Sequence, residues 1–257
     1  MMKITLSVAG VCLAASSAHA VSIVDEDFES YSSTAELGQV WNLGDGTLDT
    51  SLGNPGNSMR HPGNGGNNTN SLSFTTVYPA EGEVLTFKAD IFDDGGSNNE
   101  RNTAGLRDAA GANIIEMGHY NNPSHYAIRT VLFGSGSDQG FVAFPNIVDD
   151  AGAPVPAATP VAGWHRYIAE VTDTAVTFSL DLNSDGNVNS SFTRNVTQNG
   201  AFGFNIVRLG GPSGVSSPAG GVNFDNIAVD LDVIPEPTSL ALLGVGGAMV
   251  LRRRRSA

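Results

Sequence analysis

Val84-Leu85-Thr86-Phe87-Lys88-Ala89-Asp90-Ile91-Phe92 alternates apolar and polar side chains along its length. Leu85, Phe87, Ala89 and Ile91 fall on one face of an extended chain, and Thr86, Lys88 and Asp90 on the other. A period of two marks a strand with one face in a core and one toward water. Val176, Phe178, Leu180 and Leu182 repeat the pattern over 176–182. The same reading predicts strands over 23–28, 113–117, 126–133, 140–144, 164–171, 203–209 and 223–231. Helical periodicity is nearly absent, so the body is read as all-β.

Turn-forming residues separate these strands. Residues 53–70 hold six Asn, five Gly and two Pro among 18, which predicts a long, irregular, exposed loop. The three prolines of 151–160 and the glycine-rich run 210–221 predict two further extended connections. Many short strands joined by Gly/Asn/Pro loops, without internal repeat, point to a β-sandwich of the jelly-roll kind.

Both ends of the chain differ from this body. Lys3, the apolar run 4–15 and Ala18-His19-Ala20 have the layout of a secretory signal, with signal peptidase expected to cut after Ala20. Cys12 lies inside the apolar run with Val11 before it, where a lipoprotein box needs a small residue, so it reads as filler. The chain after Ala20 has no cysteine, which removes disulfides and thiol chemistry. At the other end stand Pro235-Glu236-Pro237, the apolar stretch 238–251 and Arg252-Arg253-Arg254-Arg255. The prolines forbid a helix running through them, and Thr238 or Ser239 can cap one that follows. Fourteen helical residues reach about 21 Å at about 1.5 Å each, short of the roughly 20 residues that a hydrocarbon core of about 30 Å wants. Small residues and snorkelling arginines make it a marginal span, with the arginines in the cytoplasm and the body outside. The expected division is therefore a signal peptide over 1–20, a sandwich ectodomain over 21–232 and a sorting tail over 233–257.

The order Pro-Glu-Pro, short transmembrane helix and arginine cluster resembles the PEP-CTERM sorting signal of Gram-negative bacteria. That resemblance implies cleavage near Pro235–Pro237 by an exosortase, and release or transfer of the body to the cell surface or its exopolysaccharide. Such tails also carry the name ice-binding-protein C-terminal domain. A flat ice-binding face wants repeated Thr-x-Thr ladders, and the chain offers Thr172-Asp173-Thr174 alone.

Without Lys3, Glu236 and the four terminal arginines, the body of about 214 residues holds 8 basic and 25 acidic side chains, a net charge of about −17. Nucleic acid and anionic membrane surfaces would repel it. Neutral glycans and divalent cations suit it, as does simple acidic solubility.

Within the body, Asp25-Glu26-Asp27-Phe28-Glu29, Gly163-Trp164-His165-Arg166-Tyr167, Asp185-Gly186-Asn187 and Phe224-Asp225-Asn226-Ile227-Ala228-Val229 follow one another in order. They resemble the concanavalin A-like (laminin G-like) sandwich domains and jelly-roll carbohydrate-binding modules. The resemblance implies first and last strands side by side in one sheet. It also implies a structural Ca²⁺ between an acid near the first strand, Asp27 or Glu29, and Asp225 in the last. Hard oxygen ligands from two distant segments would pin the chain ends together. The fold hosts lectins, hydrolases and structural domains alike, so it does not fix an activity.

Other candidates come from the residues alone. Asp181, Asn183 and Asp185 followed by Gly186 match the first half of an EF-hand loop, but position twelve is Phe192 and no helix pattern flanks it, so a strand ending in an Asp-Gly turn accounts for them better. Asp93-Asp94-Gly95-Gly96 reads as a solvated turn whose two carboxylates leave a cation site open. His119 and His125 flank Tyr120-Asn121-Asn122-Pro123-Ser124, too few ligands for a convincing zinc site, and read as binding or loop residues. Among the aromatics, Tyr120 in its polar loop and Trp41 are the candidates for stacking on a sugar, whereas Trp164 and Tyr126 lie in strands where burial is the default. No carboxylate pair spaced for retaining glycoside hydrolysis, no Gly-x-Ser-x-Gly elbow and no His-Glu-x-x-His occurs. The expected protein is an exported envelope or matrix component, transiently anchored, with a non-catalytic glycan-binding sandwich. A polysaccharide hydrolase or lyase and a purely structural biofilm component are the alternatives.

Overall fold

A computed structural model describes residues 20–62, 69–96, 101–110, 113–120, 125–132, 140–196, 203–210 and 221–233. The chain runs through β1 (Val21–Glu26), helix α1 (Thr34–Val40), β2 (Thr47–Asp49), β3 (Ser58–His61), β4 (Asn70–Val77) and β5 (Glu83–Asp93). It continues through β6 (Arg101–Arg107), β7 (Ile114–Tyr120), β8 (Tyr126–Val131) and β9 (Phe141–Ala143). The last third holds β10 (Gly163–Val171), β11 (Ala175–Leu182), β12 (Ser190–Asn195), β13 (Phe204–Leu209) and β14 (Val222–Val233). The short helix α1 starts at Ser33, whose hydroxyl accepts from the Glu36 amide and satisfies one orphan donor.

Two antiparallel sheets form a sandwich. The larger has the order β12-β11-β10-β5-β14-β3-β2, with β1 also paired to β14, and the smaller the order β4-β13-β6-β7-β8-β9. First and last strands lie side by side, Val21 opposite Leu231 and Glu26 opposite Ile227. β1 and β3 share one edge of β14, β3 meeting its start at Val222–Phe224 and β1 its later half, while β5 holds the other edge. The alternation read from the sequence decides what is buried. Leu85, Phe87, Ala89 and Ile91 point inward beside Tyr167, Ala169 and Val171. They meet Leu106, Ile115, Met117, Ile128 and Val207 of the smaller sheet in one continuous core. Truncating a ring such as Phe87 to Ala there costs about 3–5 kcal/mol.

The expected strands all occur, with ends shifted by one to three residues. The reading of 53–70 as one irregular loop needs correction, because Ser58–His61 is β3, with Ser58, Met59 and His61 buried. Met59 is its one inward aliphatic side chain, and its partner is 165 residues away, so no local pattern announces it. β2, β6, β12 and α1 are likewise silent in the sequence for being short or polar, whereas β4, also unexpected, carries Leu72 and Phe74 at alternate positions. Residues 63–68 of the segment 53–70, and 211–220 of the expected 210–221 connection, lie outside the described residues.

Candidate functional site

The loop 53–57 lies over the sheet edge of the predicted acidic residues, and its amides donate to both Asp225 and Glu29. Between Asp225 and Ala228 the β5–β14 register shifts, and Asn226 takes a left-handed φ of 49°, a conformation asparagine tolerates well. This β-bulge aims Asp225 and Asn226 outward beside Asp90. Asp225 Oδ2 accepts from the Asn54 amide at 2.5 Å, and its Oδ1 from the Asn226 amide at 2.7 Å. The Asn226 side-chain amide donates to the Asn54 carbonyl at 2.5 Å and to Asp90 Oδ2 at 2.9 Å. Arg166 neutralises Asp90 through a two-pronged contact of 2.7 and 2.8 Å. Glu29 Oε1 accepts from the Asn57 amide at 2.5 Å, and Asp27 turns back to accept from the Glu29 amide at 3.0 Å.

Asp225 is the uncompensated charge of this group. Burial raises its carboxyl to about 7, the Asp90 and Glu29 carboxylates add to the rise, and the two amide bonds oppose it. Gly56, with φ of 82°, leaves room that the Glu29 carboxylate occupies, since a Cβ there would overlap it. Carboxylates from two distant segments, a nearby backbone carbonyl at Asn54 and a side-chain-free cradle are the hard oxygen set that suits Ca²⁺. Asn54, Asp90, Arg166 and Asn226 escape sequence reasoning, because a bulge and a loop 171 residues away in sequence bring them together.

The segment 181–189 is a tight turn from β11 into β12. Asp181 accepts from the Asp185 amide at 3.1 Å and the Gly186 amide at 2.9 Å, and Asp185 accepts from the Asn187 amide at 2.9 Å. Asn183, Ser184 and Gly186 all have positive φ. The Asn183 side chain reaches instead to Asp150 at 3.4 Å. The carboxylates thus serve the turn's own amide donors.

The aromatic candidates separate cleanly. Trp41 is 1% exposed, packs on Phe28 with ring centroids 5.8 Å apart, and donates its Nε1–H to Glu26 Oε2 at 3.1 Å. The reading of Trp41 as a sugar-stacking group is therefore corrected: its faces are core, and its polar edge satisfies a buried carboxylate that also accepts from Tyr31. Tyr126 is buried, and its hydroxyl accepts from the Val161 amide at 2.8 Å. Trp164, expected in the core, is only half-buried and meets Phe92 edge-on at 5.4 Å on the outer side of the larger sheet.

Tyr120 is half-buried at the end of β7, on the face of the smaller sheet turned away from the core. It packs on Phe141 with centroids 4.0 Å apart, and the Arg129 guanidinium lies 5.9 Å from the Phe141 ring. In register across that face run Arg208, Gly105, Glu116, Arg129 and Phe141. Glu116 is buried beneath Arg107, Arg129 and Arg208 at 3.1, 3.4 and 3.0 Å. An aromatic pair beside a rigid, hydrogen-bonded polar row is a surface of the kind that sugars stack on.

Ala20 is exposed at the start of the described residues, and Ala18 lies outside them. So do Pro235, Glu236, Pro237, Arg252, Arg253, Arg254, Arg255 and the apolar stretch 238–251. Among the described residues no helix is long and apolar enough to cross a membrane.

Comparison with known proteins agrees with both halves of this picture. The globular domain of T. cruzi calreticulin superposes with a TM-score of 0.51 at 11% identity, covering 87% of this chain and 92% of its own. An endo-1,3-β-glucanase from Streptomyces sioyaensis gives 0.50 at 14% identity, over 85% and 99%. The CBM2 module of an evolved Dit protein of Lactobacillus casei BL23 phage J-1 gives 0.51 at 11%, over 86% and 98%. At such identities the likeness is one of fold. No curated protein matches the sequence. Residues 233–255 match the PEP-CTERM protein-sorting motif, which implies export and processing by an exosortase. The chain thus carries a PEP-CTERM sorting motif behind a jelly-roll β-sandwich.

Proposed function

We propose that this protein is an exported envelope or matrix component whose sandwich is a non-catalytic module for a neutral glycan. Signal peptidase cuts after Ala20, and an exosortase acts near Pro235–Pro237. The apolar stretch 238–251 and its four arginines hold the chain in the membrane until then. The observation that carries the glycan reading is the Tyr120–Phe141 pair beside Arg129 on the outer face of the smaller sheet. A ring fixed by a second ring offers a stacking face at little entropic cost. The strongly acidic body favours neutral over anionic saccharides.

A structural Ca²⁺ at Glu29 and Asp225 completes the reading, with the Asn54 carbonyl close by. It would tie the end of β1 to the loop 53–57 and the bulge of β14. Asp27 serves there by fixing the Glu29 backbone.

A glycan array probed with the purified protein tests the module directly. Tyr120→Ala is expected to weaken binding by roughly 1–3 kcal/mol, by analogy with base–aromatic stacking, and to leave the melting temperature nearly unchanged. If no neutral glycan binds the wild type at millimolar concentration, a structural surface component replaces this reading.

A further inference from the structure

At one end of the sandwich, between the two sheets, four titratable side chains converge that the glycan and calcium readings do not use. Asp93 is the last residue of β5, His119 belongs to β7, His125 immediately precedes β8, and His165 belongs to β10. All four are buried to within about 1% exposure. Asp93 is thus no part of a solvated turn, although Asp94 beside it is exposed. Inward alternation accounts for the placement, since Asp93 follows Leu85, Phe87, Ala89 and Ile91 on the core face, and His119 follows Ile115 and Met117.

The distances centre on one oxygen. His125 Nε2 lies 2.6 Å from Asp93 Oδ2, His119 Nε2 3.8 Å from it, and His165 Nε2 3.9 Å from it. The His119 and His125 rings stack with centroids 4.5 Å apart. The fourth residue is occupied otherwise: His165 Nε2–H donates to the Val161 carbonyl at 2.6 Å, and its Nδ1 accepts from the Asn183 amide at 3.1 Å. With both nitrogens so used, His165 is a neutral wall of the site. Burial, with the other two histidines adding, lowers it to about 4.

We propose that Asp93, His119 and His125 form a buried binding site for a divalent transition metal of the zinc class. Their ligand atoms all lie within 4.8 Å of one another. Adjacent ligands of a tetrahedral Zn²⁺ with bonds of about 2.0 Å stand about 3.3 Å apart. The 2.6 Å contact must therefore open, and the 3.8 Å one close, by about half an ångström or a little more, within reach of side-chain rotation. Two imidazoles and one carboxylate select Zn²⁺ and its neighbours over Ca²⁺ or Mg²⁺, which want oxygen. A metal at His125 Nε2 requires that nitrogen to carry no proton, so its 2.6 Å hydrogen bond with Asp93 gives way to the ion.

Supporting contacts are in place. The second Asp93 oxygen accepts from the Gly95 amide at 2.8 Å, fixing the carboxylate plane. The Tyr126 ring meets His125 edge-on at 4.9 Å and His165 at 5.7 Å. Three protein ligands leave a fourth position for water or hydroxide. Asp93 comes from the larger sheet and both histidines from the smaller one, so the ion would staple the sheets together in a body without cysteine.

The test uses the tag-free full chain in detergent, stripped with chelator and titrated with Co²⁺. One equivalent is expected to bind with tetrahedral d–d absorption bands that Zn²⁺ abolishes. Two hyperfine-shifted imidazole N–H resonances should appear in the NMR spectrum of the Co²⁺ form. His119→Gln and His125→Gln should each weaken binding at least tenfold. Absence of the bands at millimolar Co²⁺, or fewer than two shifted imidazole resonances, overturns the proposal. Because the bands and resonances are read on the wild type, they decide the matter even where a variant fails to fold. Glu29→Gln should leave the cobalt signal unchanged, which separates this site from the calcium reading.

Discussion

Calcium affinity at the Glu29–Asp225 edge should rise with pH between 6 and 8, because Asp225 must give up a proton to become a ligand. Burial, with Asp90 and Glu29 nearby, puts its carboxyl at about 7. It is then about one-tenth ionised at pH 6 and about nine-tenths at pH 8, so binding should tighten about tenfold, or about 1.4 kcal/mol. The same displacement has an opposite consequence without calcium. A carboxyl raised from 3.8 to about 7 favours the folded state fully below pH 4, and that contribution is lost as pH climbs through 7. Metal-free protein should therefore lose stability across that window, and calcium should restore it most at pH 8. Isothermal titration in two buffers of different ionisation enthalpy reads both the affinity and the protons released, nearly one at pH 6 and about one-tenth at pH 8. Asp225→Asn, nearly isosteric, should abolish calcium binding and flatten the pH dependence. A dissociation constant that is the same at pH 6 and 8, or calcium binding that survives Asp225→Asn, would refute the reasoning.

Three other outcomes are expected. Intact mass spectrometry of the exported protein should show loss of the residues after about Pro237, and a full-length C-terminus in the mature envelope fraction would contradict the sorting assignment. Trp41→Phe keeps an aromatic ring against Phe28 but removes the indole N–H, one of the two donors to the buried Glu26 Oε2, leaving the Tyr31 hydroxyl as the other. It should cost about 1–3 kcal/mol of stability and leave glycan binding alone, a split that denaturant melts and the glycan array read separately. Gly56→Ala should weaken calcium binding and lower the melting temperature together, since the methyl overlaps Glu29 and the residue sits at φ 82°; a normal calcium affinity would show that Glu29 is not a ligand.

What the sequence announces and what it conceals divide along a physical line. Period-two alternation is a local signal, so β5, β11 and their like are legible, and with them the inward set Leu85, Phe87, Ala89 and Ile91. Glu29 and Asp225 are reached through resemblance, and the pairing of β1 with β14 places their segments close together. The same alternation carries a second message that is easily overlooked. Asp93 continues the inward series of β5, and His119 that of β7, so two polar residues stand in core register, where an unpartnered group costs free energy. Adjacent Asp94 and the glycines after it make the pair look like a solvated turn. Polar residues at inward positions late in a strand should thus be paired with one another across sheets before being assigned to water. Here that rule joins Asp93 to His119 and His125 and finds a third histidine, His165, inward on β10. The partners of Asp90 need something no alternation supplies, a bulge in β14 that sets Asp225 and Asn226 beside it, whereas Trp164, one residue before inward His165, is outward by that same alternation. The sites of this fold lie where its local rules are broken, and those breaks become visible only once distant strands are set in register.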